Sequence, residues 1–501
     1  MIVGLDIGTT AVKVVAFGIG SPVRHTVSRE YPLMQPRPGW QVQDPRRIST
    51  AVIDALRECV AAVGAPRVAG LSLSTAMHGL IGLDADRRPV TPLLTWADGR
   101  AIEQSERLRE SGLAAAAYRI SGVPTHPMTP LTKLIWFGEH EPDLAGRVRH
   151  WAGLKDFLLL ELTGTLATEL SSASGTGLLD RRTRQWSPLL LDLAGVTAEA
   201  MSPILDTTSA LTLCRDVAEA TGLLPGLPVA VGAADGPLGN LGTGALTPGI
   251  VGLSIGTSGA LRLAVDEPVL DPAGRLFSYA LTQDVWVVGG AISNGGSALR
   301  WAGEVFGTDL RAATAGRPID ADLLALAEDV PAGSDGLILL PYLLTERAPL
   351  WDPTLTGAFL GVRHAHTRAH FVRATLEGVA LQLSAILAGL TRIRPIQAVH
   401  ATGGVFRSAL WRQVVADALD RPLLVTDDAA GTALGAAALG LVSLRLAADL
   451  DQAVRQLLPG PASHGDYVQP RHPEVYAALR ADIPRRLRQL REVEDLFASL
   501  D

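Results

Sequence analysis

The chain has 501 residues, of which 47% are hydrophobic and 19% are charged, and its formal net charge at pH 7 is −7. This length is too great for one compact core, so two domains are expected, and the composition is that of a globular rather than a disordered protein. The negative balance, without a basic stripe, argues against a nucleic-acid partner. The sequence contains no run of about 18 apolar residues, which argues against a membrane span.

The two cysteines, Cys59 and Cys214, are too distant in sequence to suggest a disulfide framework or a zinc site. The chain enters a predicted strand at once and shows no signal-peptide pattern. These features predict a protein of the reducing cytoplasm.

Residues 2–17, IVGLDIGTTAVKVVAF, predict a β-hairpin because apolar and β-branched residues flank a glycine turn. Gly8 lets the backbone turn sharply and approach a ligand. The hydroxyls of Thr9 and Thr10, beside the turn amides, suit phosphate oxygens. Asp6, at the end of the first strand, could hold Mg²⁺ through water. The hairpin is therefore a candidate phosphate and metal site.

Further along, predicted strands alternate with predicted helices. Up to residue 187 they are a loop or irregular strands over 21–45, a helix over 45–63, a strand over 68–73, a hairpin of 80–83 with 93–95, helices from 130 and over 149–162, and a loop with a short strand over 171–187. Polar clusters emerge where two of these strands end, which is where α/β proteins place ligands. They are Met77 and His78, and then Trp96, Asp98 and Arg100.

Asp235 lies at a predicted strand-to-helix junction, after a strand over 228–232. A carboxylate in this position can accept a proton from a substrate hydroxyl. Asp-Gly-Pro is also a good helix start, and from the residues alone a helix N-cap is the stronger interpretation.

The opening stretch recurs at residues 250–264 as IVGLSIGTSGALRLA, with an offset of 248. The simplest interpretation is a duplicated fold, with two related lobes whose turns face a central cleft. The two copies differ where chemistry would differ, because Asp6 is replaced by Ser254. The first lobe is expected to end near residues 245–249.

The second lobe continues the alternation of strands and helices. Its predicted elements are a helix from 296, a strand over 337–340, a helix over 367–391, a strand over 398–401, and helices over 408–418 and 431–440, followed by a loop and helical tail over 459–501. None of the three lysines, Lys13, Lys133 and Lys155, follows a glycine, so the usual P-loop is excluded.

The chain resembles the FGGY carbohydrate kinases, a family with the duplicated actin-like, ribonuclease H-like ATPase fold. Residues 128–140, MTPLTKLIWFGEH, and residues 357–377, GAFLGVRHAHTRAHFVRATLE, match the two family signatures. The resemblance implies an α/β fold with an N-terminal lobe over 1–246 for the sugar and catalytic base, a C-terminal lobe over 247–445 for the nucleotide, and a helical tail over 446–501.

Within the family, TWADGR at 95–100 and THPMTPLTKLIWF at 125–137 are most similar to the gluconokinase subfamily, and Met77-His78-Gly79 also suits xylulokinases. The resemblance implies ATP-dependent phosphorylation of a sugar acid such as D-gluconate, with Mg²⁺. It implies small-molecule partners without nucleic acid or membrane, and a homodimer is a candidate state. A non-catalytic sugar sensor is a rival that the presence of both Asp6 and Asp235 disfavours.

The resemblance also implies a role for each candidate residue. Asp235 becomes the catalytic base and a sugar contact, and Asp6 the metal-site residue. The implied nucleotide contacts are Thr9, Thr10, Gly256, Thr257, Gly296, Arg300, Gly403, Gly404 and Ser408. The implied sugar contacts are Met77, His78, Trp96, Asp98, Arg100 and His126.

Some of these assignments have alternatives. A sugar acid calls for a cationic partner, for which Arg100, His126 and Arg347 are candidates. The alternatives are core packing for Trp96, a solvated helix position for Arg100 and turn geometry for the glycines. Lys133, inside the first signature, is interpreted as structural.

Overall fold

The computed structural model describes residues 1–313, 320–426, 431–458 and 467–498. The strands before residue 249 are β1 (Ile2–Ile7), β2 (Ala11–Phe17), β3 (Arg24–Glu30), β4 (Val42–Gln43), β5 (Gly70–Thr75), β6 (Ile81–Leu83), β7 (Leu93–Leu94), β8 (His150–Ala152), β9 (Thr168–Glu169), β10 (Leu179–Asp180), β11 (Gln185–Trp186), β12 (Ile204–Leu205), β13 (Ala210–Thr212) and β14 (Pro228–Ala234). The helices of this part are α1 (Pro45–Val63), α2 (Ile102–Glu110), α3 (Leu113–Ser121), α4 (Pro130–His140), α5 (Pro142–Arg147), α6 (Leu154–Thr163), α7 (Leu170–Ser174), α8 (Pro188–Ala194), α9 (Arg215–Thr221) and α10 (Asp235–Gly242).

The later part of the chain repeats the alternation. Its strands are β15 (Ile250–Ile255), β16 (Gly259–Val265), β17 (Phe277–Ala280), β18 (Trp286–Ile292), β19 (Ile338–Leu340), β20 (Ala358–Leu360), β21 (Ala398–Thr402), β22 (Leu423–Thr426) and β23 (Tyr467–Val468). Its helices are α11 (Gly296–Phe306), α12 (Thr308–Ala313), α13 (Asp320–Glu328), α14 (Arg368–Ile393), α15 (Ala409–Leu419), α16 (Gly431–Ser443), α17 (Leu450–Leu457) and α18 (Pro473–Ala498). Short 3₁₀ helices span Ala65–Arg67, Ala198–Ala200, Ser334–Gly336 and Gly404–Arg407.

The described residues divide into two structural units. Unit 1 lies within Met1–Pro248, Leu263–Val288 and Ala430–His464, and unit 2 within Gly249–Arg262, Gly289–Ala429 and Gly465–Asp501. The domain limits that we predicted, 1–246, 247–445 and 446–501, stay a prediction.

The main sheet of unit 1 has the strand order β13-β14-β5-β1-β2-β3. β1, β5 and β14 are parallel, whereas β2 is antiparallel to β1 and to β3. In register, Asp6 lies beside Ser74, and Ser74 lies beside Ala233. Because parallel strands end at the same sheet edge, Asp6 and the segments after Thr75 and Ala234 emerge together.

Each face of this sheet is covered by a helix. On one face α1 buries Ile48, Val52 and Leu56 against the strands. On the other lies α16, whose small residues allow very close packing. A Cβ on Gly4 would lie 2.3 Å from the backbone oxygen of Ala433, so only glycine permits this approach.

The second sheet has the order β17-β18-β16-β15-β21-β22-β23, which repeats the first around β15. Within unit 2, β15, β21 and β22 are parallel and β23 is antiparallel to β22. The two hairpins have strands of equal length, six residues followed by seven. The predicted duplicated α/β fold is confirmed.

Helix α14 is 26 residues long and apolar enough to cross a membrane by length and composition. Its most apolar 18-residue stretch is 83% buried within the protein, which is typical of a core helix. In unit 2, the Tyr476 hydroxyl donates to Glu377 on α14, 2.9 Å away, which fixes the start of α18.

Several element predictions were wrong in detail. Residues 24–30 form a regular strand paired with β2, although its single buried apolar residue, Val27, gives little sequence signal. The predicted helix over 149–162 begins only at Leu154, because residues 150–152 pair with β6. The strand of 80–83 thus finds its ladder partner far away in sequence, and isolated bridges and single hydrogen bonds join it to residues 89–94.

The segment 171–187 also differs from its prediction. It contains most of α7 and the hairpin of β10 and β11. In the predicted C-terminal tail, α18 confirms the helix, and residues 459–466 lie outside the described residues.

Candidate active site and the family of the chain

Two carboxylates lie at the sheet edge of unit 1. Asp235 is the first residue of α10 and half-buried, and its Oδ1 accepts a hydrogen bond from the Gly236 N–H at 2.8 Å. Burial first, and the nearby Asp235 carboxylate second, raise the pKa of Asp6 to about 7. Because the Asp235 carboxylate opposes the ionisation of Asp6, a cation bound near both side chains would stabilise the negative charge of the pair.

This pair fits a hydrated magnesium ion. Mg²⁺ usually keeps several waters and takes one or two carboxylates together with substrate phosphates. Among the described residues, no cluster of three or more His, Cys, Asp or Glu side chains could form a complete protein cage. The donor set therefore suits an ion that arrives with a phosphate ligand.

The first glycine turn is held by side chains from three other segments. The Tyr31 hydroxyl donates to the Gly8 carbonyl at 2.6 Å, and the Gln43 amide donates to the Thr9 carbonyl at 2.7 Å. The Trp96 indole N–H donates to the Thr9 hydroxyl at 2.8 Å. A predicted sugar residue and a predicted phosphate residue are thus in direct contact, while Thr10 is exposed.

Trp96 also lines a small pocket with Met77, and both Gln43 and Thr9 contribute to its wall. Trp96 is half-buried and forms part of the wall of this pocket. Gln43 and Tyr31 were missed by sequence reasoning, since neither lies in a motif.

His78 is held in a left-handed backbone conformation, with φ of 63°. Its Nδ1 lies 2.8 Å from the Gly175 carbonyl, which can only accept, so Nδ1 carries the proton. The other ring nitrogen lies 3.5 Å from the Tyr279 hydroxyl. The ring is therefore oriented by unit 1 itself.

Arg100 and Asp98 form a buried ion pair, with side chains 4% and 0% exposed. The guanidinium makes two hydrogen bonds to the Asp98 carboxylate, of 2.7 and 2.9 Å, and packs over the rings of Trp40 and Trp136. The alternative of a solvated Arg100 is wrong. Its charge is already neutralised inside unit 1.

His126 is also buried, at 3% exposure. Its Nδ1 accepts a hydrogen bond from the Met128 N–H at 3.2 Å, and its carbonyl accepts from the hydroxyls of Thr129 and Thr132. These bonds shape the turn that leads into α4. Direct sugar contact by His126 stays a prediction.

Lys133 on α4 joins two of the predicted sugar segments. Its ammonium donates to the His78 carbonyl at 2.8 Å and to the Thr95 carbonyl at 2.7 Å. Burial lowers its pKa to about 7, against the opposing effect of Asp98. The rarity of lysine in this chain is the sequence signal that could have identified it as part of the site.

In unit 2, three of the predicted nucleotide segments meet. The Gly296 N–H, at the start of α11, donates to the Gly256 carbonyl at 2.8 Å, and the Gly295 N–H donates to the Thr257 carbonyl at 3.0 Å. Gly403 has φ of 127°, and a Cβ there would lie 2.0 Å from the Ile255 oxygen. A glycine turn and a helix N-terminus suit phosphate oxygens.

The remaining candidates occupy neighbouring positions. Gly404 follows Gly403, and Ser408 caps α15 by accepting a bond from the Trp411 N–H at 3.3 Å. Arg300 is exposed on α11. Arg347 is buried, and donates to the Ile292 carbonyl at 2.7 Å and the Ser293 hydroxyl at 3.1 Å.

Residues 1–242 match the N-terminal domain of the FGGY family of carbohydrate kinases, and residues 251–444 match its C-terminal domain. Together with the duplicated α/β fold, these matches define a phosphotransferase of the sugar-kinase class. The chain belongs to the FGGY family of carbohydrate kinases.

Its relatives include enzymes for different sugars. The chain is 37% identical to the gluconokinase of Bacillus subtilis (strain 168) over 445 residues, 87% of this chain and 86% of the relative. It is 30% identical to the xylulose kinase of the same strain over 463 residues, 91% of each chain. The solved structure of a gluconate kinase from Lactobacillus acidophilus has a TM-score of 0.90 and 31% identity, covering 100% of this chain and 99% of that one.

Proposed function

We propose that the chain phosphorylates D-gluconate with ATP to give 6-phospho-D-gluconate, with Asp235 as the general base. The observation that carries this proposal is the presence of Asp6 and Asp235 at one sheet edge, next in register to the strand that leads to Met77 and His78. The similarity to the Bacillus gluconokinase, at 37% identity, supports gluconate as the acceptor.

In the proposed reaction, a gluconate hydroxyl oxygen attacks the γ-phosphorus of ATP. The new oxygen–phosphorus bond forms while the bond to the β,γ-bridging oxygen breaks, and ADP leaves. Asp235 accepts the hydroxyl proton as the bond forms. Asp6 would hold Mg²⁺ through water, and the ion would neutralise phosphate charge when bound.

The substrate and nucleotide segments have separate places in this proposal. Unit 1 supplies the sugar residues Met77, His78, Trp96, Asp98, Arg100 and His126, together with Thr9 and Thr10. Unit 2 supplies the nucleotide residues Gly256, Thr257, Gly296, Arg300, Gly403, Gly404 and Ser408. Two free cysteines and an ATP-dependent reaction suit the cytoplasm, where we place the enzyme.

D-Xylulose is the second candidate acceptor, because the xylulose kinase of Bacillus subtilis covers as much of the chain. The buried states of Arg100 and Arg347 also weaken the argument from charge, since both guanidinium groups are already hydrogen bonded. The two acceptors differ by one negative charge, so comparing their turnover tests whether the site requires a substrate carboxylate.

A coupled ADP-release assay with Mg-ATP tests the proposal, using D-gluconate, D-xylulose, L-ribulose, glycerol and no sugar. Turnover on gluconate alone supports the assignment, and preference for a neutral sugar replaces it. Asp235→Asn is expected to lower kcat by at least about 1,000-fold while sugar binding, measured by calorimetry, persists. Near-normal turnover of this variant would refute the base assignment, and binding without turnover in the unmodified protein would indicate a sugar sensor.

A further inference from the structure

Strand β14 leaves its regular register with β5 just before it delivers Asp235. The pairing shifts between Ala230 and Ala233. Gly232 lies in this irregularity with φ of 72°, and a Cβ there would lie 1.8 Å from the Leu73 oxygen. The strand therefore crosses very close to β5, and the close approach brings backbone carbonyls of both strands together.

The ammonium group of Lys155 occupies the point where these carbonyls converge. Its Nζ donates to the carbonyls of Leu73, Val231 and Ala233, at 3.0, 2.8 and 3.0 Å. An ammonium has three N–H donors, so the three acceptors use all of them. The side chain is 1% exposed, and the irregular strand is held by a single buried cation.

A buried carboxylate connects this cation to the residue before Asp235. Glu169 Oε1 lies 3.7 Å from Nζ, and the Glu169 carboxylate accepts the backbone N–H of Ser172 at the start of α7. The neighbouring hydroxyl of Ser171 accepts the Ala234 N–H at 3.2 Å. The peptide that joins Ala233 and Ala234 is therefore held at both of its polar groups. Lys155 binds its carbonyl and Ser171 binds its N–H, directly before Asp235.

Carboxylates near Lys155 favour its ammonium form. Burial lowers the pKa of Lys155 to about 8, while Glu169, Asp156 and Asp235 oppose the shift. The ammonium form is the one with three N–H donors, which the three carbonyls use.

We propose that Lys155 is a positioning residue for Asp235, because its three hydrogen bonds fix the irregular end of β14 from which Asp235 follows. This inference rests on the proposed function, in which Asp235 is the base. Lys155 acts through Asp235 and does not itself contact the reacting atoms in this proposal.

Lys155→Met tests the proposal, since it nearly preserves the length of the side chain and removes its charge and donors. We expect kcat to fall about 10-fold or more, with the KM values for sugar and ATP within about 3-fold of those of the unmodified protein. A folded Lys155→Met enzyme with an unchanged kcat would overturn the inference.

Two serines on α7 provide a milder test if Lys155→Met does not fold. Ser171→Ala removes the bond to Ala234, whereas Ser174→Ala removes an equally buried acceptor that binds the Ala280 N–H at 3.0 Å instead. We expect Ser171→Ala to lower kcat about 3-fold relative to Ser174→Ala at equal sugar KM. Equal kcat values would remove the positioning role.

Hydrogen exchange measures the position of the strand end without turnover. The Ala234 N–H, which donates to the Ser171 hydroxyl, should exchange with deuterium about 10-fold faster or more in Lys155→Met than in the unmodified protein. If no sugar is phosphorylated, the proposed function fails while this exchange rate still decides whether Lys155 fixes the end of β14. Equal exchange rates would overturn the inference even in an active enzyme.

Discussion

Replacing Lys133 by methionine removes the link between the His78 and Thr95 carbonyls and should separate stability from sugar affinity. Two hydrogen bonds from a charged donor contribute about 1.5 to 3 kcal/mol each, so their loss destabilises the fold by roughly 3 to 6 kcal/mol. Against this, the pKa of Lys133 falls from 10.5 to about 7, which corresponds to a penalty of about 5 kcal/mol for the buried charged form at low pH.

These two terms nearly cancel, so the Lys133→Met free energy of unfolding at pH 7 should stay within about 2 kcal/mol of the unmodified value. The sign of the pH dependence follows from the lowered pKa. Between pH 7 and 10.5 the unfolded chain binds a proton that the folded chain does not, so this lysine makes stability rise with pH. Lys133→Met should lose that rise.

Lys133→Met should decrease sugar affinity much more than it changes the free energy of unfolding. Without Lys133, the strained His78 backbone and the residue before Trp96 lose their common anchor, and we expect sugar KM to increase about 10-fold or more. ATP KM should stay unchanged. Leu134→Met, a buried and volume-conserving change on the same helix, is the matched control. Chemical denaturation and steady-state kinetics measure both effects, and a sugar KM equal to that of Leu134→Met would refute the reasoning.

Two further predictions concern buried contacts. Arg100→Ala leaves the Asp98 carboxylate buried without its guanidinium partner and should lower the free energy of unfolding by about 3 to 5 kcal/mol, measured by thermal unfolding. Because the guanidinium nitrogens already bind Asp98, kcat/KM should fall equally for gluconate and xylulose. A selective loss on gluconate would instead assign Arg100 to the substrate carboxylate. Gly403→Ala places a Cβ 2.0 Å from the Ile255 oxygen, and it should destabilise the protein by at least about 2 kcal/mol and raise the KM for ATP. Gly404→Ala is the stability control, because a Cβ at that position meets nothing within 4 Å. Equal unfolding temperatures of the two variants would contradict the steric argument.

The sequence predicts the duplicated hairpins and the junction at Asp235 well, because both depend on local patterns. Glycine turns, the alternation of apolar residues in strands and the Asp-Gly-Pro sequence can each be recognised from a few consecutive residues. The pairing of residues 150–152 with β6 is not readable, since it joins segments about 70 residues apart that have no shared signal. The register is set by tertiary packing.

The contacts around the candidate site were also beyond local patterns. Arg100 and Asp98 are close in sequence, yet nothing in TWADGR shows that their charges satisfy each other between Trp40 and Trp136. Lys155 is the second residue of α6, and its neighbours in the sequence give no hint of the three carbonyls that it binds. Such roles depend on backbone groups from distant strands, which residue type alone does not reveal.

The difference between the two hairpins has an evolutionary consequence. Where the first copy has Asp6, the second has Ser254, whose hydroxyl accepts a bond from Arg262 at 3.2 Å. Without a carboxylate at this position, the second copy is free from the demands of proton and metal chemistry. Each half can then accumulate substitutions under its own selection. New acceptor preferences can thus arise by changes in the first half without altering how the second half recognises its ligand.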